Sequence, residues 1–182
     1  MLIRAADAAQ DAAACAAIYA PSVMDGVTSM EEVAPDAAEL GRRIAEITAR
    51  YAWLVAEFDG VVAGYAYATQ HRARASYRWS VDVTVYVSDA YQRRGVGRAL
   101  YERLFELLAQ QGYHEACAGI TLPNDASVGL HESLGFRPVG VYRNIAFKLG
   151  SWRDVGWWQK TLRKPAPDTR PADPIAPPRV PR

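Results

Sequence analysis

Between Tyr77 and Val87 apolar residues recur at every second position. Tyr77, Trp79, Val81, Val83, Val85 and Val87 fall on one face of a strand, and Arg78, Ser80, Asp82, Thr84 and Tyr86 on the other. From Arg94 to Gln111 the spacing becomes helical, with Val96, Leu100, Leu104, Leu107 and Leu108 on one side and Arg98, Glu102 and Glu106 facing away. Upstream, Trp53–Phe58 and Val61–Thr69 read as strands joined by the Asp59-Gly60 turn. Leu2–Arg4 reads as a short strand, and Asp11–Tyr19 as a helix because alanine dominates it. Asp36 with Glu39 forms a capping-box pattern that opens a helix over Ala37–Arg50. Downstream come a strand over Glu115–Leu122, a short helix over Asn124–Leu134 closed by Gly135, and strands over Val139–Phe147 and Val155–Leu162. This order predicts an α+β, three-layer fold: a mixed, mostly antiparallel central sheet flanked by helices, with one strand-helix-strand unit inside it.

Length and composition narrow the organisation further. A chain of 182 residues, half of them apolar, fits one domain, here residues 1–164. Residues 165–182 hold seven of the eleven prolines and almost nothing able to build a core, so they are predicted to be a disordered tail. A net charge of +1 gives no general attraction to nucleic acid or to an anionic membrane. The first residues show no basic-then-apolar leader, and no window approaches the roughly 18 apolar residues that span a bilayer. The expectation is a cytoplasmic protein with neither nucleic-acid nor membrane partners. Cys15 and Cys117 lack CxxC spacing and a clustered histidine, so both are expected as buried thiols and no metal site is expected.

The segment Gln92-Arg93-Arg94-Gly95-Val96-Gly97-Arg98 lies between the long strand and the amphipathic helix. A helix start presents unpaired amides and the positive end of its dipole, and glycine lets backbone approach an anion closely. The segment is therefore a candidate pyrophosphate cradle, the alternative being an ordinary glycine-containing helix start. A P-loop would require Gly-Lys-Ser/Thr, and a dinucleotide loop would require Gly or Ala where Leu100 stands, so neither applies.

With these residues in place, the chain resembles the GNAT superfamily of N-acetyltransferases, whose strand-to-helix signature is Gln/Arg-x-x-Gly-x-Gly/Ala, matched by Gln92, Gly95 and Gly97. Within it the chain is similar to the phosphinothricin and methionine sulfoximine (sulfone) acetyltransferases. The likeness covers nearly all of residues 2–163 and runs through Arg72–Tyr77, Thr84–Val87, Leu122–Ser127, Leu130–Phe136 and Phe147–Val155 in order. The resemblance implies the GNAT fold and acetyl-CoA as co-substrate, with no metal. By the same resemblance, amides of Val85, Tyr86 and Val87 hold the pantetheine arm. Those of Arg93, Arg94, Gly95, Val96, Gly97 and Arg98 hold the pyrophosphate, and Asn124 and Ser133 reach the far side of the cofactor. Asn124 also suits the N-cap of its own helix.

The acceptor side follows from chemistry and resemblance together. An ammonium has no lone pair, so a general base is required. The family has Glu where this chain has Asp82, one methylene shorter; Asp82 is the candidate base, its alternative role being an ion pair to Arg72, Arg74 or Arg78. His131 stands where many relatives carry the Tyr that protonates the departing thiolate, its alternative being a hydrogen-bonded helix residue. Arg72, Arg74 and Tyr77 match the substrate-binding segment, and Met30 lies where relatives often have Phe in the acceptor loop. Paired guanidinium groups suit a small zwitterion with a second oxo group. Arg143 and the Trp152–Trp158 segment are expected to border the pocket and to take part in a homodimer contact. Two further readings stay open: another acceptor, such as a polyamine, an aminoglycoside or a peptide N-terminus, or an acyl-CoA-binding module without catalysis.

Overall fold

The computed structural model describes residues 1–164 and 166–178. Seven strands form one sheet in the order β1-β2-β3-β4-β5-β7-β6, with β1 Leu2–Ala5, β2 Trp53–Phe58, β3 Val61–Gln70, β4 Ser80–Val87, β5 Glu115–Leu122, β6 Arg137–Lys148 and β7 Ser151–Thr161. Every pairing is antiparallel except β4 with β5. The helices are α1 Ala12–Met24, α2 Ala37–Thr48, α3 Val96–Gln111 and α4 Asp125–Ser133.

The period of two in the strands divides the core into two layers. On β2, Leu54 and Ala56 join Leu100, Leu104 and Leu108 of α3, whereas Trp53 and Val55 join Cys15 and Tyr19 of α1 and Leu40 and Ile44 of α2. α1 and α2 therefore cover one face of the sheet and α3 the other. β4 continues the division, with Val81 and Val83 packed toward α3 and Tyr86 packed toward Tyr19 and Tyr65. Asp82 and Thr84 share the face of Tyr86.

Several element boundaries differ from expectation: β7 begins at Ser151 rather than Val155, β6 at Arg137 rather than Val139, and α2 ends at Thr48 rather than Arg50. α1 runs through Pro21 to Met24 instead of ending near Tyr19, and Val23 is buried in the α1–α2 layer. β4 begins at Ser80, because Ala75–Tyr77 forms a 3-10 turn closed by Tyr77 N to Arg74 O at 3.0 Å and Arg78 N to Ala75 O at 3.2 Å. α3 begins at Val96 because Arg93 and Gly95 occupy the left-handed region, with φ of 57° and 78°. The Asp36 cap is half of the expected box: its Oδ1 accepts from Glu39 N at 2.8 Å, while the Glu39 carboxylate turns to Arg42 and Arg43.

Residues 166–178 carry no helix or strand, as proline dictates, yet part of them lies against the domain. Trp79 Nε1 donates to Ala172 O at 2.8 Å, Arg78 pairs with Asp173 at 3.0 Å, and Ile175 exchanges hydrogen bonds with Gln111. Polar contacts of this kind leave no hydrophobic pattern in the sequence by which to find them. Residues 165 and 179–182, also assigned to the predicted tail, lie outside the described residues.

Candidate active site

The site originates in an interrupted ladder. β4 and β5 pair only through Ser80↔Glu115, Val81↔Ala116 and Asp82↔Cys117. Beyond that rung β4 stays with β3 as far as Val87, and β5 stays with β7 as far as Leu122. The two halves of the sheet diverge, and among the described residues the backbone of Val83–Val87 has no strand partner on its β5 side. A cavity of about 110 Å³ fills the wedge, lined by Val83–Tyr86 on β4, Ala118–Thr121 on β5, Tyr101 of α3, and Asn124, Ser127 and His131 of the α4 segment. Thr28, from the loop after α1, lines it from the opposite face of the sheet. The wedge therefore connects the α3 side of the sheet with the α1–α2 side.

On the α3 side the wedge meets the glycine loop. Gly95 is the N-cap of α3, and nothing lies within 4 Å of the position its Cβ would take. Positive φ at Arg93 and Gly95, with Arg94 between them, gives the loop a tight turn immediately before the α3 N-terminus, whose first amides have no intrahelical partner. Arg94 lies over the Tyr91 ring at 5.4 Å. Arg98 donates to Ser133 Oγ at 2.7 Å, so those two expected cofactor residues adjoin each other. Gly97 serves packing: a Cβ there would meet Leu130 at 3.3 Å and Val87 at 3.6 Å. The exposed loop and the unpaired β4 edge fit a pyrophosphate followed by an extended arm.

Asn124 caps its own helix and also faces the wedge. Its Oδ1 accepts from Ser127 N at 3.0 Å as the cap of α4, and the residue lines the wedge. His131 is 4% exposed and fully engaged. Its Nδ1 lies 2.7 Å from Ser127 O, which can only accept, so Nδ1 carries the proton and Nε2 accepts from Tyr101 Oη at 3.1 Å. Burial lowers the His131 pKa, so the ring is neutral at pH 7 and holds no spare proton for a thiolate. This arrangement makes His131 an orienting partner of Tyr101.

On the other face Asp82 ends the paired part of β4. Its carboxylate lies 2.6 Å from His71 Nδ1, and burial raises its pKa above the ordinary value while the His71 hydrogen bond pulls it partly back. This contact, rather than the alternative ion pair to Arg72, Arg74 or Arg78, is the one the Asp82 carboxylate makes. Arg78 turns to Asp173, and Arg72 lies over the Trp157 ring at 5.6 Å. His71 stands edge-on to Trp157 at 6.0 Å and to Tyr77 at 6.1 Å, so the imidazole links Asp82 and Tyr77 to the indole over which Arg72 lies. Arg74 does not join them; it lines a separate cavity of about 600 Å³ with Tyr51, Tyr113, Arg78 and Ile175. Arg143 pairs with Asp154 at 2.7 Å.

The loop carrying Thr28 and Met30 is firmly held. Tyr19 Oη and Ser29 Oγ lie 2.6 Å apart, and the buried Lys148 ammonium donates to Ser29 O at 2.6 Å and to Glu31 O at 2.8 Å. Arg43 grips the Glu31 carboxylate with two nitrogens and holds its pKa below the usual range. Met30 is 37% exposed within this loop. His71, Tyr101 and Lys148 were not singled out by motif reading. For His71 a signal existed: the hairpin register pairs Gln70 with Val81, which places residue 71 diagonally beside Asp82.

Comparison with known proteins agrees with this geometry. The Acetyltransferase (GNAT) domain family matches residues 3–157. A phosphinothricin N-acetyltransferase of Streptomyces viridochromogenes is 50% identical over 126 residues, 69% of this chain and 68% of the relative. An L-methionine sulfoximine/L-methionine sulfone acetyltransferase of Salmonella typhimurium is 37% identical over 173 residues, 92% of this chain and 99% of the relative. Among solved structures, a GNAT superfamily phosphinothricin acetyltransferase from Sinorhizobium meliloti in complex with AcCoA superposes with a TM-score of 0.88 at 34% identity, covering 94% of this chain and 92% of its own.

The His131 assignment is open to direct measurement. Nitrogen-15 NMR at pH 7 is expected to show a neutral ring protonated at Nδ1; an imidazolium signal at that pH would contradict it.

Proposed function

The chain belongs to the GNAT acetyltransferase family, and we propose that it transfers the acetyl group of acetyl-CoA to the α-amine of a small amino-acid-like acceptor. Phosphinothricin, methionine sulfoximine and methionine sulfone define the acceptor class. The observation that carries this reading is the wedge between β4 and β5, which opens toward the glycine loop on one face and toward Asp82 on the other.

In this reading acetyl-CoA lies along Val85–Val87, with its pyrophosphate on the amides of Arg93–Arg98 and the Arg98–Ser133 pair beside it. Its thioester enters the wedge. The acceptor enters from the Trp157 side, where the Arg72 guanidinium and the Tyr77 hydroxyl meet its carboxylate and oxo oxygens. Its ammonium gives one proton to Asp82, which His71 holds in place, and the freed lone pair attacks the thioester carbonyl carbon. A C–N bond forms, the C–S bond breaks, and the second amine proton passes to the departing thiolate. The products are the N-acetyl amino acid and coenzyme A. Unpaired β4 amides supply donors for the carbonyl oxygen as it gains charge. A fixed guanidinium beside the base repels a polycation, which favours zwitterionic acceptors over polyamines.

We also read the protein as a homodimer. β6 is an edge strand, and it leaves Val139, Tyr142, Ile145 and Phe147 more than half exposed, with Trp152 of β7 beside them. A long apolar edge calls for a cover, and a two-fold copy of the same surface supplies one. Sedimentation equilibrium is expected to give twice the chain mass; a mass equal to one chain at assay concentrations would contradict this.

The catalytic assignment predicts that Asp82→Asn lowers turnover on methionine sulfone by at least ~100-fold, with acetyl-CoA affinity retained. Because the base must be ionised and burial raises its pKa, the wild-type rate should fall on acidification at a pH above the ordinary carboxylate value. Near-normal turnover in the variant would remove Asp82 from the chemistry.

A further inference from the structure

The rung that ends the β4–β5 ladder gathers three metal-binding side chains. Asp82 and Cys117 are paired across adjacent parallel strands, so both side chains leave the sheet on the same face. His71 follows the end of β3, the strand on the other side of β4, and reaches Asp82 at 2.6 Å. One imidazole nitrogen, one carboxylate oxygen and the Cys117 sulfur all lie within 4.8 Å of one another. Tetrahedral Zn²⁺, with bonds of about 2.0 Å to nitrogen or oxygen and 2.3 Å to sulfur, holds its ligand atoms about 3.5 Å apart. Small side-chain rotations bring the three donors to that spacing, and the sheet already fixes their Cα positions.

We propose that His71, Asp82 and Cys117 form a reversible Zn²⁺ site in the acceptor pocket, and that zinc bound there shuts off acetyl transfer. Three protein ligands leave the fourth position of a tetrahedral ion to water, the pattern of an accessible site rather than a closed structural one. Imidazole, carboxylate and thiolate together favour zinc over magnesium or calcium, which prefer oxygen donors. The Arg72 guanidinium, laid over Trp157, opposes a second cation electrostatically, so the ion is held by its donor bonds rather than by net charge.

Proton balance is explicit. The buried Cys117 thiol loses its proton to solvent as the Zn–S bond forms, and coordination through His71 Nδ1 shifts that nitrogen's proton to Nε2. Zinc then occupies the carboxylate lone pairs that would receive the ammonium proton. The inhibitory half of the proposal rests on Asp82 as the base, whereas the binding half rests only on the three donors.

Cys117 touches neither reactant in the mechanism above, which makes Cys117→Ala the diagnostic variant. Two readouts are needed. Co²⁺ titrated into the protein in place of Zn²⁺ is expected to give tetrahedral d–d absorption and a thiolate-to-cobalt charge-transfer band, the latter lost in Cys117→Ala. Turnover, followed as N-acetyl product because free coenzyme A thiol itself binds zinc, is expected to fall at least tenfold with micromolar Zn²⁺ and to recover with EDTA. Cys117→Ala should keep its basal turnover and need at least ~10-fold more zinc for the same inhibition, the least expected when a ligand set loses a member. Absence of the charge-transfer band in the wild type, or equal zinc sensitivity in the variant, would overturn the site. A thiolate-bound ion that left turnover unchanged would instead overturn the inhibitory claim and, with it, Asp82 as the base.

Discussion

The parallel ladder between β4 and β5 has three rungs, and its termination at Asp82↔Cys117 determines where everything else in the site can be. β4 is committed to β3 through Val87, and β5 is committed to β7 through Leu122, so neither strand can bend back to close the gap. Backbone amides and carbonyls left open in a sheet interior cost free energy unless something pairs with them. An extended amide-containing arm satisfies that need. The same divergence puts Tyr101 and His131 on one side of the opening and Thr28 on the other, so two reactants can approach from opposite faces without sharing a path.

The surroundings hold this opening in shape through polar contacts, from the buried Lys148 ammonium to exposed pairs at the tail. Lys148 is 6% exposed and spends its charge on the carbonyls of Ser29 and Glu31, which fixes the loop that brings Thr28 to the wedge. Glu31 is shared by Arg43 and Tyr19, tying the same loop to α2 and α1. On the far side, the tail contacts at Trp79 and Arg78 brace the segment that leads from Tyr77 into β4. Each of these groups has a charge-assisted or backbone partner, and for the buried Lys148 ammonium that pairing is obligatory.

The fold was largely legible because its periods are clean. β2, β5 and the body of α3 have the extents that alternation and helical spacing indicate, and the Asp59-Gly60 turn joins β2 to β3. Boundaries failed where local hydrogen bonding overrode pattern. The 3-10 turn at Ala75–Tyr77 shortened β4, and α1 extended through Pro21 because Val23 has a buried place to fill. The glycine loop and Asp82 were readable because their chemistry is local in sequence. The Tyr101–His131 pair and the Asp82–Cys117 neighbours were not, since they join residues 30 and 35 positions apart that only helix packing and the sheet register bring together; the Asp82–His71 contact followed only once the β3–β4 register was known. Arg72 and Arg74 share a sequence pattern but not a site: Arg72 lies over Trp157, and Arg74 lines the cavity bordered by Ile175.

The central claim is that the β4–β5 wedge receives the acyl-CoA arm. Amide hydrogen exchange measured with and without acetyl-CoA tests it most directly. The account predicts that added acetyl-CoA slows exchange at Val83–Val87 and at Arg93–Arg98 together. Unchanged exchange at Val83–Val87, with protection confined to the cavity bordered by Arg74 and Ile175, would contradict it.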